Sequence, residues 1–301
     1  MKSISETARW VAWARAEESL RPAGLFVDEL AVEVHRRFPA DQPLPSKARA
    51  RFVIRTRFFD DYLTALARAG VAQVVLLAAG LDARAFRLDW PAGTRLFEVD
   101  LPGLFEEKEK IVGAVGARPR CARVVVPADL TDAAWTSELA AAGFDPGVPT
   151  AWLAEGLFFY LTEHQADQVL SGIGRSSAAG SALGLDHVGT PVLADAQSRR
   201  WLASMDERDR GWHSAVDRPE HWLAGYGWQA DVRRSTDADL AHGCALAEVR
   251  PPGEPTRRHW LITARLREPA SPPDRTAAAA DAGPAAAAGP AGNGRESTSC
   301  G

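Results

Sequence analysis

The chain has 301 residues, 46% of them hydrophobic and 25% charged, and a formal net charge of -4. That is core material for one large α/β domain or two small ones, without the basic surplus that nucleic acid attracts. Three scattered cysteines, Cys121, Cys244 and Cys300, offer neither a disulfide framework nor metal-type spacing, and no apolar leader or membrane-length apolar run is present, so a cytoplasmic setting without metal or membrane is expected.

Residues 5 to 38 read as helices: Trp10, Trp13 and Ala14 share a face, Pro22 and Gly24 interrupt it, and Leu30, Val34 and Phe38 resume it from Leu25 onward. After the proline-rich loop Asp41 to Pro45, residues 47 to 69 form an amphipathic helix with Phe52, Phe59, Leu63 and Leu66 inward. Its arginines Arg49, Arg51, Arg55 and Arg57 suit a solvated face, but one of them near the next turn could hold a ligand carboxylate through a bidentate fork.

Val74 to Leu77 is a short apolar run that stops at Ala78, Ala79 and Gly80, which reads as a buried parallel strand ending in a small-residue turn. A second strand, Arg95 to Val99, delivers Asp100 twenty residues past Gly80, the spacing at which doubly wound folds place a ribose-binding carboxylate. Leu104 to Val115 reads as a helix, Arg123 to Val126 as a strand leading to Asp129 and Leu130, and Thr131 to Ala142 as a helix. Thr150 to Ala154 is a fourth strand ending at Glu155, Thr162 to Ile173 a capped helix, and Ser181 to Leu185 a fifth strand ending at Asp186 and His187. Asp100, Asp129, Glu155 and Asp186 would then line one edge of a single sheet. Residues 190 to 225 read as a helical insertion that shares a run of tryptophans (Trp201, Trp212, Trp222, Trp228) with the strand after it, and could form a lid over a flat substrate. Trp228 to Arg233 and His259 to Leu266 alternate like half-buried strands, the latter a candidate antiparallel strand, and residues 268 to 301 have the composition of a disordered tail.

Several of these stretches together resemble the leucine carboxyl methyltransferase family, bacterial class I S-adenosylmethionine-dependent O-methyltransferases. The matching residues are Thr7-Ala8, Arg15 to Ser19, Arg21-Pro22, Leu25 to Asp28, Arg55 to Asp61, Ala79 to Leu88, Phe97 to Pro102, Asp129-Leu130, and Glu155 to Leu157 with Tyr160-Leu161. The resemblance implies a Rossmann-like, doubly wound, mostly parallel seven-stranded sheet with an antiparallel strand, a helical cap over residues 1–69, and a cofactor-binding domain over residues 70–267. It implies S-adenosylmethionine as cofactor, with Ala78, Ala79 and Gly80 under its methionine part, Asp100 on the ribose, and Asp129 and Leu130 at the adenine. Glu155 would meet the amino group, and Arg55 or Arg57, less directly Arg15, the carboxylate. The family turn reads Gly-Ala-Gly before Asp-Thr-Arg; here Ala78 and Ala83 replace the first glycine and the threonine.

Methyl transfer needs alignment and dry surroundings, and a carboxylate acceptor needs no base, whereas a phenol would profit from one. His187 is the best-placed base, with His164 and His213 behind it, and Tyr160 could contact substrate or cofactor, or belong to the core with Phe158 and Phe159. Arg84, Arg199 and Arg200 are available to offset a negative acceptor. The resemblance extends to enzymes of secondary metabolism that act on polyketide-derived acids and phenols. A nicotinamide oxidoreductase fits poorly, since Ala78, Gly80 and Ala83 are not G-x-G-x-x-G, and a silent cofactor-binding module is the other rival.

Overall fold

The computed structural model describes residues 6–39, 44–194, 211–243 and 258–267. Seven strands form one sheet: β1 (Gln73–Leu77), β2 (Arg95–Asp100), β3 (Ala122–Pro127), β4 (Thr150–Ala154), β5 (Ala182–Val188), β6 (Trp228–Arg234) and β7 (His259–Leu266). Their order is β3-β2-β1-β4-β5-β7-β6, parallel from β3 through β5, with β7 antiparallel to both of its neighbours. The antiparallel strand expected at 259 to 266 is therefore β7. Strand order reverses at β1, which has β2 on one side and β4 on the other. In open α/β sheets such a switch point leaves a crevice beyond the carboxyl ends of the strands, where ligands bind.

β1, β4 and β5 are buried along their whole length because helices cover both faces. Side chains alternate across a strand, so Val74 and Leu76 join Ile54, Phe59 and Leu63 of α3 (Ser46–Arg68), while Val75 and Leu77 face the other layer. That second layer holds Trp135 and Leu139 of α6 (Trp135–Ala141) and Val169 and Leu170 of α7 (Glu163–Arg175). Thr162 and Gln165 close a capping box at the start of α7, as the Thr162-Glu163 start foretold. The remaining helices are α1 (Glu6–Ser19), α2 (Glu29–Arg37), α4 (Arg84–Arg87), α5 (Pro102–Val115), α8 (Thr190–Ala194) and α9 (Pro219–Ala224).

Several boundaries differ from the sequence reading by a residue or two, and three differ by more or bear on the site. The second helix starts at Glu29, not Leu25, because the carboxylate of Asp28 caps it by accepting from the Ala31 N–H at 2.8 Å. α6 starts at Trp135, not Thr131, because Asp129 and Asp132 each accept a backbone N–H two residues on, at 2.9 Å, and hold the chain in turns. β5 runs on through Val188, where β7 pairs with it, so Asp186 and His187 lie inside the strand and point to opposite faces. The insertion shows two short helices, α8 and α9, in its described part; Arg199, Arg200 and Trp201 lie outside the described residues, as does 268–301.

Candidate functional site

The turn after β1 is a tight one. Ala78 (φ 51°) and Gly80 (φ 50°) both adopt the left-handed conformation, which glycine takes freely and alanine at a cost. The Ala79 N–H donates to the Val99 carbonyl at 3.1 Å, tying the turn to the end of β2. The Gly80 N–H donates to Asp100 Oδ2 and the Leu101 N–H to Asp100 Oδ1, each at 2.7 Å. Burial pushes the Asp100 carboxyl up, and those two N–H groups oppose it. Each oxygen keeps a lone pair for a further donor. Asp129, by contrast, is exposed and accepts from the N–H and hydroxyl of Thr131, at 2.9 and 2.7 Å, while Leu130 is buried in the second layer.

At the end of β4 one guanidinium joins two of the strand-edge acids. Arg55 Nε donates to Glu155 Oε1 at 2.9 Å and Nη1 to Asp186 Oδ2 at 2.8 Å. Its Nη2 has no hydrogen bond among the described residues. Gly156 shapes the junction: it sits at φ +72°, a conformation side chains rarely adopt, and its N–H donates to Asp186 Oδ1 at 2.6 Å. Burial would raise the Glu155 carboxyl, but Arg84 first and Arg55 next outweigh it and hold the group below the ordinary carboxylate range. Arg57 is elsewhere. It forks onto Asp61, donates to the Leu25 carbonyl, and lines a cavity of about 630 Å³ with Phe26, Arg68 and Arg118. Arg15 reaches the turn from α1, its Nη2 donating to the Leu81 carbonyl at 2.6 Å and its Nε 3.0 Å from Asp28.

Two expectations need correction. Arg84 is not available to a substrate: its side chain is 1% exposed and is engaged by Asp60, Asp82 and Glu155. His187 is not placed as a base. It is 2% exposed, stacked on Phe158 and edge-on to Phe159 and Trp222, and its Nδ1 accepts the Val188 N–H at 2.8 Å. With Nδ1 accepting, the proton of the neutral ring sits on Nε2, leaving no basic nitrogen free; burial lowers its pKa to about 4. His164 and His213 are also described: His164 lies in α7, and the His213 N–H donates to the Phe159 carbonyl. Tyr160 is half-buried, packed on Phe159, with Thr7 of α1 and Trp212 at its hydroxyl, and burial raises its pKa.

Sequence reading put Asp186 on the sheet edge without a role, and did not assign Asp82 or Gly156 to the site. The usable signals were the Asp-x-Arg that follows the turn and the Glu-Gly that follows β4. The donor set suits a zwitterionic nucleoside ligand: an ionised Glu155 for an ammonium, a half-free arginine fork for a carboxylate, and a strand-end acid for a diol. Among the described residues no group of three or more His, Cys, Asp or Glu is placed to hold a metal, and no helix is long and apolar enough to cross a membrane.

The sequence model of the leucine carboxyl methyltransferase family matches residues 8–174. A protein of Parafrankia sp. (strain EAN1pec), provisionally named as an S-adenosyl-L-methionine-dependent methyltransferase, is 43% identical over 246 residues, 77% of this chain and 79% of its own. One of the same provisional name from Streptomyces avermitilis is 39% identical over 281 residues, 87% and 95% of the two chains. Among solved structures, a DUF574 family protein from Streptomyces avermitilis superposes with a TM-score of 0.58 at 16% identity, covering 87% of this chain and 97% of that one. That likeness is one of fold.

Proposed function

This chain belongs to the leucine carboxyl methyltransferase family and is an S-adenosylmethionine-dependent methyltransferase, and from that premise we propose that it methylates an oxygen of a small molecule, a carboxylate in preference to a phenol. When bound, the cofactor supplies a methyl group on a sulfonium, already a good leaving group. The residues of the chain hold and align. Asp100 accepts from the ribose hydroxyls, Asp129 and Leu130 flank the adenine, and Ala78 to Gly80 lie under the methionine part. Glu155 takes the ammonium, and Arg55, through the donors it has left, takes the carboxylate. Tyr160, at the meeting of α1, Arg55 and Trp212, faces the acceptor.

The observation that carries the choice of acceptor is His187. Its Nδ1 is occupied and its ring is buried among Phe158, Phe159 and Trp222, so it takes no proton at neutral pH. Asp186, the other strand-edge candidate, already accepts Gly156 N–H and Arg55. A carboxylate, ionised above a pKa of about 4, needs neither. A polyketide-derived acid in the cytoplasm is the acceptor class to try first.

The product tells the two acceptors apart. Incubation with methyl-labelled cofactor and a panel of small acids and phenols should give label that mild alkali releases as methanol, the behaviour of a methyl ester. Label that survives alkali as an aryl ether would replace the carboxylate reading with the phenolic one.

A further inference from the structure

Arg84 opens the four-residue helix α4, four positions past Gly80, and its fork meets three elements at once. Nε donates to Asp60 Oδ1 of α3 at 2.8 Å, Nη1 is hydrogen-bonded to Asp82 of the turn, and Nη2 stands 2.8 Å from Glu155 Oε2 at the end of β4. Nη2 also donates to the Thr56 carbonyl of α3 at 3.3 Å, and the Trp90 indole holds the Arg84 carbonyl at 2.9 Å. Asp60 has a second cation, Arg87, which grips both its oxygens at 2.6 Å. Glu155 has Arg55, whose own position depends on Glu155.

We propose that Arg84 is the positioning residue of the cofactor site: its planar fork fixes Glu155, and through Glu155 the orientation of Arg55, relative to the turn that underlies the cofactor. This rests on the reading of Glu155 as the partner of the cofactor ammonium. The geometry suits an arginine, because its fork donates to Asp60 and Asp82 while Nη2 keeps ion-pair contact with Glu155, and a compact ammonium cannot reach carboxylates on three elements at once. It is also an electrostatic role. The charged groups around Glu155 are Arg55 from α3, Arg84 from α4, Asp82 from the turn, Arg15 from α1 and, across Arg55, Asp186 of β5. Without Arg84, a buried Glu155 beside Asp82 would take up a proton as pH falls, and a neutral acid is a poorer partner for an ammonium.

Titration calorimetry with S-adenosylmethionine between pH 5.5 and 7, below the ~7.7–8.0 range of α-amino groups, tests this without any turnover. Wild type should bind with affinity independent of pH. Arg84→Gln should bind on the order of tenfold more weakly at pH 7 and lose about a further tenfold by pH 5.5, and the acid loss should vanish in Arg84→Gln/Glu155→Gln. A merely structural loss would lower the melting temperature and the affinity without that Glu155-dependent limb. Wild-type affinity in Arg84→Gln, or an acid limb that persists in the double variant, overturns the proposal. Should Arg84→Gln fail to fold, Arg84→Lys decides: about tenfold weaker, pH-independent binding supports the fork, and wild-type binding overturns it. Glu155→Gln alone separates the two readings. If it binds as wild type, the Glu155 assignment itself falls; if it binds weakly while Arg84→Gln does not, only the role of Arg84 falls.

Discussion

The Gly80 N–H donates to Asp100 Oδ2 at 2.7 Å although the two residues stand twenty positions apart. The turn after β1 and the acid that ends β2 are therefore one unit, and the acid is set before any ligand arrives. Asp100→Ala removes the acceptor proposed for the ribose and also leaves two N–H groups, of Gly80 and Leu101, without their partner. Cofactor affinity should fall by about 1.5–3 kcal/mol, the range for hydrogen bonds to a charged group. Unchanged affinity in calorimetry would remove Asp100 from the site.

Ala78 stands at φ 51°, where its Cβ crowds its own backbone. The left-handed region costs an L-residue about 1–2 kcal/mol, and the extra freedom of glycine in the unfolded chain returns roughly 0.4–1 kcal/mol of that. Ala78→Gly should therefore stabilise the protein slightly, by about 1 kcal/mol or less, with cofactor binding equal or tighter. A fall in melting temperature on scanning calorimetry would show that the methyl group of Ala78 packs better than it strains.

The strands were legible because buried parallel strands have a plain signature: Val74 to Leu77 and Thr150 to Ala154 are short apolar runs with small residues or acids at the end. The acids at the sheet edge could be read for the same reason. What could not be read was which cation each acid meets. Arg55 and Arg57 are two residues apart on one helix, and 200° of helical rotation sends one to Glu155 and the other to Asp61. The fate of His187 was hidden by one strand boundary. Extending β5 by three residues turns an edge histidine into a buried one, because register with β7 is a long-range fact.

That buried histidine predicts an acid-sensitive fold. Desolvation holds His187 at about pKa 4 in the folded chain, against about 6.5 when unfolded. A depressed pKa means the unfolded state binds the extra proton between those values, so stability is full above pH 6.5 and falls as pH drops toward 4. The loss should reach about 2–3 kcal/mol by pH 4.5, on 1.36 kcal/mol per pKa unit. Carboxylates contribute their own acid dependence, so the measurement is a difference: urea midpoints of wild type and His187→Gln, compared at pH 7.5 and 4.5. The variant should be less stable at pH 7.5, from lost ring packing, and should lose less on acidification. Parallel losses in the two proteins would place the His187 pKa near its ordinary value.

The same residue decides how the reaction should depend on pH. With Nδ1 accepting the Val188 N–H and the ring closed in by Phe158, Phe159 and Trp222, no proton leaves the acceptor through His187. A carboxylate acceptor is ionised throughout, so the single-turnover rate should be nearly flat from about pH 6 to 9, the acceptor pKa lying near 4. A negative acceptor must still approach Asp186 and Glu155, whose two charges Arg55 offsets only in part, and the sulfonium of the bound cofactor is the cation that such an acceptor meets. Arg55→Lys keeps the charge but not the fork, and should weaken cofactor binding. His187→Gln should leave the shape of the profile unchanged and cost no more than a few-fold in rate, well short of the 10²–10⁴-fold that general-base catalysis contributes. A steep acid limb in wild type that His187→Gln abolishes would show a base at work and overturn the carboxylate assignment.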